Sequence, residues 1–298
     1  MPTKIVVLGA AGMLGHKMFQ RLRTQFPGTI ASLRKPSACP PFDRIELFQG
    51  ADVRTGIDVM EFDALGAWLS EIRPDYIVNC IGVIKQRPTA QEAIPTITIN
   101  ALLPHRLAAL AAGWNGRLIH FSTDCVFSGS RGAYTEDDES DAHDLYGRSK
   151  FLGEAAGPNA LTLRTSIIGR ELVEHRSLLD WFLAQKGRTA RGFRRVIYAG
   201  VTTNHLADLV AEIIRNHPDL SGLYQAASSP ISKYDLLCLL RDAYALDVEI
   251  ITDDAEQSDR SMIGQKLHGA IGYTAPSWPE LVNQLATDRT PYQSWLSQ

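Results

Sequence analysis

A glycine-rich turn separates an apolar strand from an amphipathic helix at the start of the chain. Residues 5–8 (Ile-Val-Val-Leu) are apolar on both faces, as in a buried strand of a parallel sheet. Residues 9–15 (Gly-Ala-Ala-Gly-Met-Leu-Gly) follow, and apolar side chains then repeat at helical spacing through Met18, Phe19 and Leu22. A strand, a tight turn and a helix in this order predict the first βα unit of an α/β fold.

The glycines of this turn suit the binding of a phosphate group. They let the backbone turn tightly, and the following helix N-terminus presents free N–H groups and a partial positive charge. The spacing is G-x-x-G-x-x-G, which differs from the usual G-x-G-x-x-G of dinucleotide-binding proteins. We predict that Gly9, Ala11, Gly12, Met13 and Leu14 bind a dinucleotide, with a purely structural turn as the alternative.

The end of the second predicted strand distinguishes the two nicotinamide cofactors. An acidic residue there accepts hydrogen bonds from the ribose 2′-hydroxyl of NAD, whereas an arginine pairs with the 2′-phosphate of NADP. Residues 29–33 are followed by Arg34 and Lys35, and no carboxylate precedes Asp43. We therefore predict NADP(H) as the preferred cofactor, bound through Arg34, with NAD(H) as the alternative.

Strand and helix patterns alternate along the first two thirds of the chain. Helical stripes are predicted at residues 64–72, 101–112, 150–156 and 206–214, and strands at residues 76–80, 117–121, 160–164 and 196–198. This order predicts an α/β fold with a Rossmann-type, doubly wound parallel sheet and a smaller, interleaved C-terminal α/β substrate domain.

The length of the chain favours two domains. With 298 residues it exceeds the usual size of one domain. We predict that residues 1–166 form the dinucleotide-binding domain and that about residues 196–225 complete it. Residues 167–195 and 226–298 would then form the substrate-binding domain.

The composition argues against several classes of function. A net charge of −3 gives no basic field for a nucleic-acid partner. The apolar run at residues 5–8 is too short for a signal-peptide core or a membrane span. We therefore expect a cytoplasmic protein that does not associate with a membrane.

The cysteines and histidines show no metal-site pattern. Four cysteines lie far apart without a C-x-x-C pair, so neither a disulfide framework nor a zinc site is expected. The eight histidines lack metal-ligand spacing, and we predict no bound metal. His16, His105 and His205 are predicted to lie on helix surfaces.

A phenol and an amine stand four residues apart at Tyr146 and Lys150. On a helix this spacing places both side chains on one face, with Cβ atoms about 5–6 Å apart. Proximity to Lys150 would lower the pKa of Tyr146 and allow it to act as a general acid. The alternative is an aromatic residue and a lysine on an ordinary helix face.

A second polar group is expected near this pair. Ser122 and Thr123 come at the carboxyl end of the strand predicted at residues 117–121, and ligands of parallel sheets bind at that end. Either hydroxyl could orient a substrate carbonyl beside Tyr146.

These motifs together resemble the extended short-chain dehydrogenase/reductase family, and within it the dTDP-4-dehydrorhamnose reductases and their relatives. The resemblance covers nearly the whole chain, closely to about residue 170 and weakly beyond it. It is carried by residues 9–16, 73–75, 78–80, 122–127, 146–150 and 163–166, with weaker matches at residues 259–261 and 272–278.

The resemblance implies roles for individual residues. It implies a catalytic triad of Thr123, Tyr146 and Lys150, and it selects Thr123 over Ser122. The residues that it places around the cofactor are Asp58 and Val59 beside the adenine, Ile81 and Gly82 beside the ribose, and Thr165 with Ser166 at the nicotinamide. It places Asn100 behind the site. For the substrate it suggests Arg260 as a ligand of the diphosphate, since arginine pairs with phosphate in a bidentate manner. A surface position for Arg260 is the alternative.

Cys125 separates several activities within the family. The family's 4,6-dehydratases have a glutamate where this chain has Cys125, which argues against a dehydratase. Epimerising members resemble this chain in having a cysteine there, which exchanges a proton on the sugar. Cys125 could do so at the substrate if its surroundings favour thiolate, with His175 as a conceivable acid partner. An inert, buried cysteine is the alternative.

The resemblance thus implies an NADPH-dependent oxidoreductase that reduces the keto group, at C4, of a nucleotide-linked 6-deoxy-hexose. One alternative is a nucleotide-sugar epimerase or combined epimerase-reductase that uses Cys125. A further alternative is a non-catalytic regulatory subunit, because the chain is also similar to the beta subunit of methionine adenosyltransferase. A helix-mediated homodimer would suit the family.

Overall fold

The computed structural model describes residues 2–84, 91–173 and 175–296. Its strands are β1 (Lys4–Leu8), β2 (Gly28–Ser32), β3 (Val53–Arg54), β4 (Tyr76–Asn79), β5 (Arg117–Thr123), β6 (Ala160–Thr165), β7 (Ile167–Ile168), β8 (Arg188–Phe193), β9 (Val196–Tyr198), β10 (Val201–Thr202), β11 (Gly222–Gln225), β12 (Ile231–Ser232), β13 (Val248–Asp253) and β14 (Ser258–Asp259).

Helices alternate with these strands. They are α1 (Met13–Gln25), α2 (Phe62–Ile72), α3 (Ala93–Ile97), α4 (Leu103–Ala112), α5 (Leu145–Leu152), α6 (Leu178–Leu183), α7 (Thr203–Asn216), α8 (Lys233–Ala243), α9 (Gln265–Ile271), α10 (Trp278–Ala286) and α11 (Tyr292–Leu296). A π-helical turn, Thr98–Leu102, joins α3 to α4. Single 3₁₀ turns lie at Phe42–Arg44, Glu46–Phe48 and Asp124–Val126.

Seven strands form one parallel sheet in the order β11-β6-β5-β4-β1-β2-β3. The strand order reverses between β1 and β4, which are direct neighbours with Val7 opposite Val78. Ligands of doubly wound sheets bind in the crevice at such a reversal, beyond the carboxyl ends of the strands. The predicted Rossmann-type α/β fold is confirmed.

The two faces of the sheet bury separate apolar clusters. Because successive side chains of a strand point to opposite faces, Ile5 and Val7 of β1 pack on the side of α1 and α7, whereas Val6 and Leu8 pack on the side of α2 and α4. Each of these β1 side chains is fully buried. The continuous apolar run at residues 5–8 therefore reflects burial on both faces.

The C-terminal part adds smaller sheets and a third apolar cluster. β8 pairs with β13 in parallel, and β9 lies between β12 and β14. The strand predicted at residues 196–198 thus belongs to a small sheet, whereas β11 extends the large one. The assignment of residue ranges to two domains stays a prediction.

The helix that carries Tyr146 starts and ends earlier than the pattern at residues 150–156 predicts. It begins at Leu145, where the Asp144 side chain accepts a hydrogen bond from the Gly147 N–H at 2.7 Å, and it ends at Leu152. A Cβ on Gly153 would lie 1.9 Å from the carbonyl oxygen of Asn100. The chain passes the π-helical turn so closely here that a neighbouring element decides where the helix ends.

The C-terminal segment packs under helix α1. The His16 ring lies 2.8 Å from the Tyr292 hydroxyl and 2.9 Å from the carbonyl oxygen of Gly12. The buried Lys17 ammonium donates to a carboxylate oxygen of Asp288 at 2.6 Å. The prediction that His16 lies on a helix surface is wrong, because a segment distant in sequence covers it. His105 is exposed as predicted, and His205 is half-buried against Tyr273.

Neither a membrane span nor a metal-binding cluster occurs within the ranges that the structure describes. None of their helices is long and apolar enough to cross a bilayer. No group of three or more histidine, cysteine, aspartate or glutamate side chains there could hold a metal ion.

A pair of glycine substitutions tests the close contact at the end of α5. Gly153→Ala should lower the free energy of unfolding by about 1–3 kcal/mol, because the added methyl overlaps a backbone oxygen. Gly269→Ala, within α9 and with open space around it, should instead raise it by about 0.5–1 kcal/mol. Urea denaturation followed by circular dichroism measures both, and an unchanged Gly153→Ala midpoint would contradict the packing described.

Candidate functional site

A cavity of about 540 Å³ opens at the carboxyl ends of β1, β4, β5 and β6. It gathers most of the side chains that the sequence motifs single out. Its lining comprises residues 11–14, 34–35, 41–42, 79–84, 121–125, 146, 150, 165–167, 171–173 and 176–177. The site therefore forms where the strand order reverses, as in other doubly wound sheets.

The glycine turn forms one end of this cavity. Gly9 has a φ of +79°, and a Cβ on Gly15 would lie 2.0 Å from the Gly9 carbonyl oxygen. Helix α1 thus begins directly on the turn. The N-cap residue, Gly12, precedes Met13 and supplies no side-chain cap, and the first turn holds no acidic residue. The helix N-terminus is open to an anion.

Arg34 and Lys35 line the same end of the cavity, after β2, together with Pro41 and Phe42. Two cations beside an uncapped helix N-terminus are suited to phosphate groups, and an apolar wall of proline and phenylalanine is suited to a base. The residues present therefore fit a phosphorylated dinucleotide.

The other residues predicted to contact the cofactor divide into two groups. Ile81, Gly82 and Thr165 line the cavity. Gly9 does not line it and instead lies beneath the turn, where a Cβ would be 2.7 Å from Ile81 Cγ1. Asp58 and Val59 also lie outside the lining. The Asp58 carboxylate accepts from the Met60 N–H at 3.0 Å, and Val59 packs in an apolar cluster.

Thr123 ends β5 and lines the cavity. Its hydroxyl donates to an Asp124 carboxylate oxygen at 3.0 Å, and its Oγ1 accepts from the Cys125 N–H at 3.1 Å. The 3₁₀ turn that follows the strand is capped in this way, which holds the hydroxyl at the cavity surface. Ser122 also lines the cavity, but its hydroxyl donates to a Glu154 carboxylate oxygen at 2.6 Å. This difference in partners distinguishes the two hydroxyls that the sequence left open.

Tyr146 and Lys150 lie one turn apart on α5, and both line the cavity. Burial raises the pKa of the Tyr146 phenol, the charge of Cys125 acts in the same direction, and a hydrogen bond with Thr123 opposes them. The prediction that Lys150 lowers this pKa is wrong, because loss of hydration disfavours the phenolate more strongly. The phenol stays protonated at neutral pH and is able to donate a proton.

Lys150 is 5% exposed and turns toward the sheet. Its Nζ donates to the Phe121 carbonyl oxygen at 2.6 Å and lies 3.4 Å from His120 Nε2. Burial lowers the pKa of this amine to about 8, with Glu154 opposing the shift. The amine can therefore change its charge close to neutral pH.

A buried ion pair anchors this region. The Arg164 guanidinium, on β6, donates to both carboxylate oxygens of Glu154, at 2.9 and 2.7 Å. Glu154 follows α5 after Gly153 and also accepts a hydrogen bond from the Ser122 hydroxyl of β5. One carboxylate thus ties the end of the helix to two strands. The positions of Tyr146 and Lys150 relative to the sheet depend on this attachment.

Cys125 lines the cavity, but its surroundings disfavour thiolate. Burial and the charge of Asp124 raise the pKa of this thiol to about 12. Arg260 does not line the cavity within the described residues. Its Nε donates to the Phe127 carbonyl oxygen at 2.9 Å, and its role as a substrate ligand stays a prediction. Its charge nevertheless acts on both Asp124 and Cys125.

One wall of the cavity was not predicted from the sequence. Residues 171–173 and 176–177 close it from the side of the C-terminal part. This segment carries no motif or periodicity, so only its fold shows its position. His175, considered as a partner of Cys125, instead lies 3.7 Å from an Asp180 carboxylate oxygen and does not line the cavity.

Comparisons with known proteins agree with this architecture. Residues 3–288 match the family described as RmlD substrate binding domain. A probable dTDP-4,6-dihydroxy-2-methyloxan-3-one 4-ketoreductase of Streptomyces antibioticus is 30% identical over 78% of this chain and 74% of its own length. The methionine adenosyltransferase 2 subunit beta of Xenopus laevis is 23% identical over 94% of this chain and 89% of its own.

A solved structure extends the likeness to the fold. The dTDP-4-dehydrorhamnose reductase of Bacillus anthracis, in complex with NADP, has a TM-score of 0.78 at 18% identity and covers 96% of this chain and 99% of its own. The match of residues 3–288 leaves only short ends of the chain outside the family. The resemblance inferred from the motifs is thereby confirmed, and the chain belongs to the RmlD substrate-binding domain family.

Proposed function

We propose that this protein uses NADPH to reduce the C4 keto group of a nucleotide-linked 6-deoxy-hexose. The observation that carries the proposal is the meeting of Thr123, Tyr146 and Lys150 with the glycine turn and Arg34 in one cavity. The relative from Streptomyces antibioticus, named as a probable 4-ketoreductase, supports the same reaction class.

Residues 11–14 of the turn would hold the phosphates of the cofactor, and Arg34 with Lys35 would hold its 2′-phosphate. NADPH supplies a hydride to the carbonyl carbon. Tyr146 is protonated at neutral pH and donates its proton to the carbonyl oxygen. Thr123 orients that oxygen beside the phenol. Lys150, in its ammonium form, supports the phenolate that remains.

The C-terminal part of the chain would bind the substrate. We assign residues 167–195 and 226–298 to this role because residues 171–173 and 176–177 line the same cavity as the catalytic side chains. Arg176 is an exposed cation on that wall. It replaces Arg260 as the candidate for pairing with the substrate diphosphate, since Arg260 lies outside the lining.

Epimerisation through Cys125 is the weaker reading of the site. A thiol must lose its proton before it can remove one from a sugar carbon. The raised pKa of Cys125, about 12, opposes this step. His175 lies outside the cavity and supplies no acid partner there.

A regulatory role without catalysis is the second candidate. The similarity to methionine adenosyltransferase 2 subunit beta, over 94% of this chain, favours it. In that case the cavity would bind a dinucleotide without turnover. The presence of Thr123, Tyr146 and Lys150 in one cavity favours the reductase.

Removing the phenol hydroxyl tests the catalytic role. Tyr146→Phe should lower kcat for NADPH oxidation about 100- to 10,000-fold, since the proton donor is lost. The Kd of NADPH should stay unchanged. Turnover is followed by NADPH absorbance with dTDP-, UDP- and GDP-linked 4-keto-6-deoxy sugars, and Tyr224→Phe on β11 is the control. Wild-type protein that binds NADPH but reduces none of these sugars would favour the regulatory role.

Arg34 is expected to select the phosphorylated cofactor. Arg34→Ala should raise the KM for NADPH about ten- to a hundredfold, because one charge-assisted contact with the 2′-phosphate is lost. The KM for NADH should change little. Arg188→Ala, exposed on β8, is the matched control. Equal effects on both cofactors would argue against recognition of the 2′-phosphate by this residue.

The protonation state of Cys125 is measurable by alkylation. At about pH 8, a pKa of about 12 leaves about one thiol in ten thousand as thiolate, so Cys125 should resist iodoacetamide. Cys39 is exposed and should react rapidly. Mass spectrometry of the peptides gives both rates. Reaction of Cys125 at the rate of Cys39 would favour the hypothesis that the protein is an epimerase.

A further inference from the structure

A chain of buried polar side chains lies behind Lys150. Asn79 ends β4 and is 1% exposed, and His120 on β5 is 0% exposed. The two residues face each other in the sheet register. Neither has a part in the proton transfer described above. The proposed reaction therefore does not explain why His120 is buried between the Asn79 amide and the Lys150 amine.

The hydrogen bonds around Asn79 identify its two amide atoms. The Ile81 backbone N–H meets Oδ1 at 3.1 Å, and because a backbone N–H only donates, that atom is the oxygen. The amide nitrogen, Nδ2, then lies 3.2 Å from His120 Nδ1. An amide nitrogen also only donates. His120 Nδ1 must therefore accept, and it carries no hydrogen.

This arrangement determines where the proton of His120 resides. Burial holds the pKa of His120 well below its ordinary value, and the charges of Lys150 and His105 act in the same direction. The ring is neutral, so its single N–H is at Nε2. Nε2 lies 3.4 Å from Lys150 Nζ. An ammonium group at Lys150 has only donors, so it would face the Nε2–H of His120 donor to donor. A neutral amine has a lone pair and would accept a hydrogen bond from Nε2–H.

The other groups around Lys150 act as follows. The Phe121 carbonyl oxygen accepts from Nζ in either charge state. The carboxylate of Glu154 favours the ammonium but is shared with Arg164 and Ser122. The contact with His120 is thus unfavourable when Lys150 is an ammonium and favourable when it is a neutral amine.

We propose that Asn79 and His120 are positioning residues that weaken proton binding at Lys150 and displace its ammonium form from the sheet toward the cavity. The inference rests on the proposed reductase function and deepens it. In its ammonium form the Lys150 side chain moves away from the Nε2–H of His120 and turns toward the cavity, on the face of α5 that also carries Tyr146. In the neutral form it stays against His120.

The first test reads protonation in the full-length protein without added ligand. Nitrogen-15 spectra of the histidine rings should show His120 with a bare Nδ1 and a protonated Nε2, the signals being assigned by their loss in His120→Phe. Lysine labelled at Cε and Nζ, with Lys150→Met for assignment, should titrate at Lys150 near pH 8. A protonated Nδ1 in the wild-type protein overturns the proposal.

The second test reverses the tautomer. Asn79→Asp keeps an oxygen for the Ile81 N–H but places an acceptor opposite His120 Nδ1. The proton then moves to Nδ1, and Nε2 accepts from the ammonium. The titration midpoint of Lys150 should rise by at least about one pH unit. His217→Gln, near the end of α7, is the control and should leave it unchanged. Coincident midpoints in Asn79→Asp and wild type overturn the proposal.

Cofactor binding separates this inference from the proposed function. If the Lys150 ammonium contributes to NADPH binding, the Kd of NADPH should rise above about pH 8 in the wild type. In Asn79→Asp the same rise should occur at a higher pH. Absence of NADPH binding at any pH would refute the proposed reductase function. The spectra of the unliganded protein would still decide the roles of Asn79 and His120.

Discussion

The buried ion pair between Glu154 and Arg164 determines how the reactive helix meets the sheet. Both groups are almost inaccessible to water, and the carboxylate also receives the Ser122 hydroxyl. Removing one partner of such a pair leaves an unpaired buried charge, which costs about 3–5 kcal/mol. The pair joins β6, β5 and the segment after α5. Tyr146 and Lys150 are therefore presented by an element held at its C-terminal end by charge and at its N-terminal end by the Asp144 cap.

The opposite end of the cavity depends on close backbone contact. Gly15 lies on the Gly9 carbonyl so tightly that no side chain fits. Helix α1 can thus direct its uncapped N-terminus at the cavity. The C-terminal segment holds the same helix through Tyr292 on His16 and Asp288 on Lys17. The glycine-turn end of the cavity is consequently braced by residues from the other end of the chain.

Burial gives the cavity its chemical character. The phenol of Tyr146 and the thiol of Cys125 both have raised pKa values, because partial burial disfavours the charged form of each. Both groups keep their protons at neutral pH. A site with these groups is suited to giving a proton to a developing alkoxide and poorly suited to removing one from carbon. The same burial lowers the pKa of Lys150, which gives the site one group that changes charge near neutrality.

Local sequence was sufficient for the parallel sheet, the glycine turn and the Tyr146–Lys150 pair, because each rests on spacing within one or two elements. It was insufficient wherever a contact spans the chain. The His16 ring and the Tyr292 hydroxyl meet across 276 positions, and Gly153 stops α5 against Asn100. The positions of Arg260, of the wall at residues 171–173 and 176–177, and of His120 behind Lys150 likewise follow from packing. Periodicity reports which face of an element is buried, and only tertiary structure decides what covers that face.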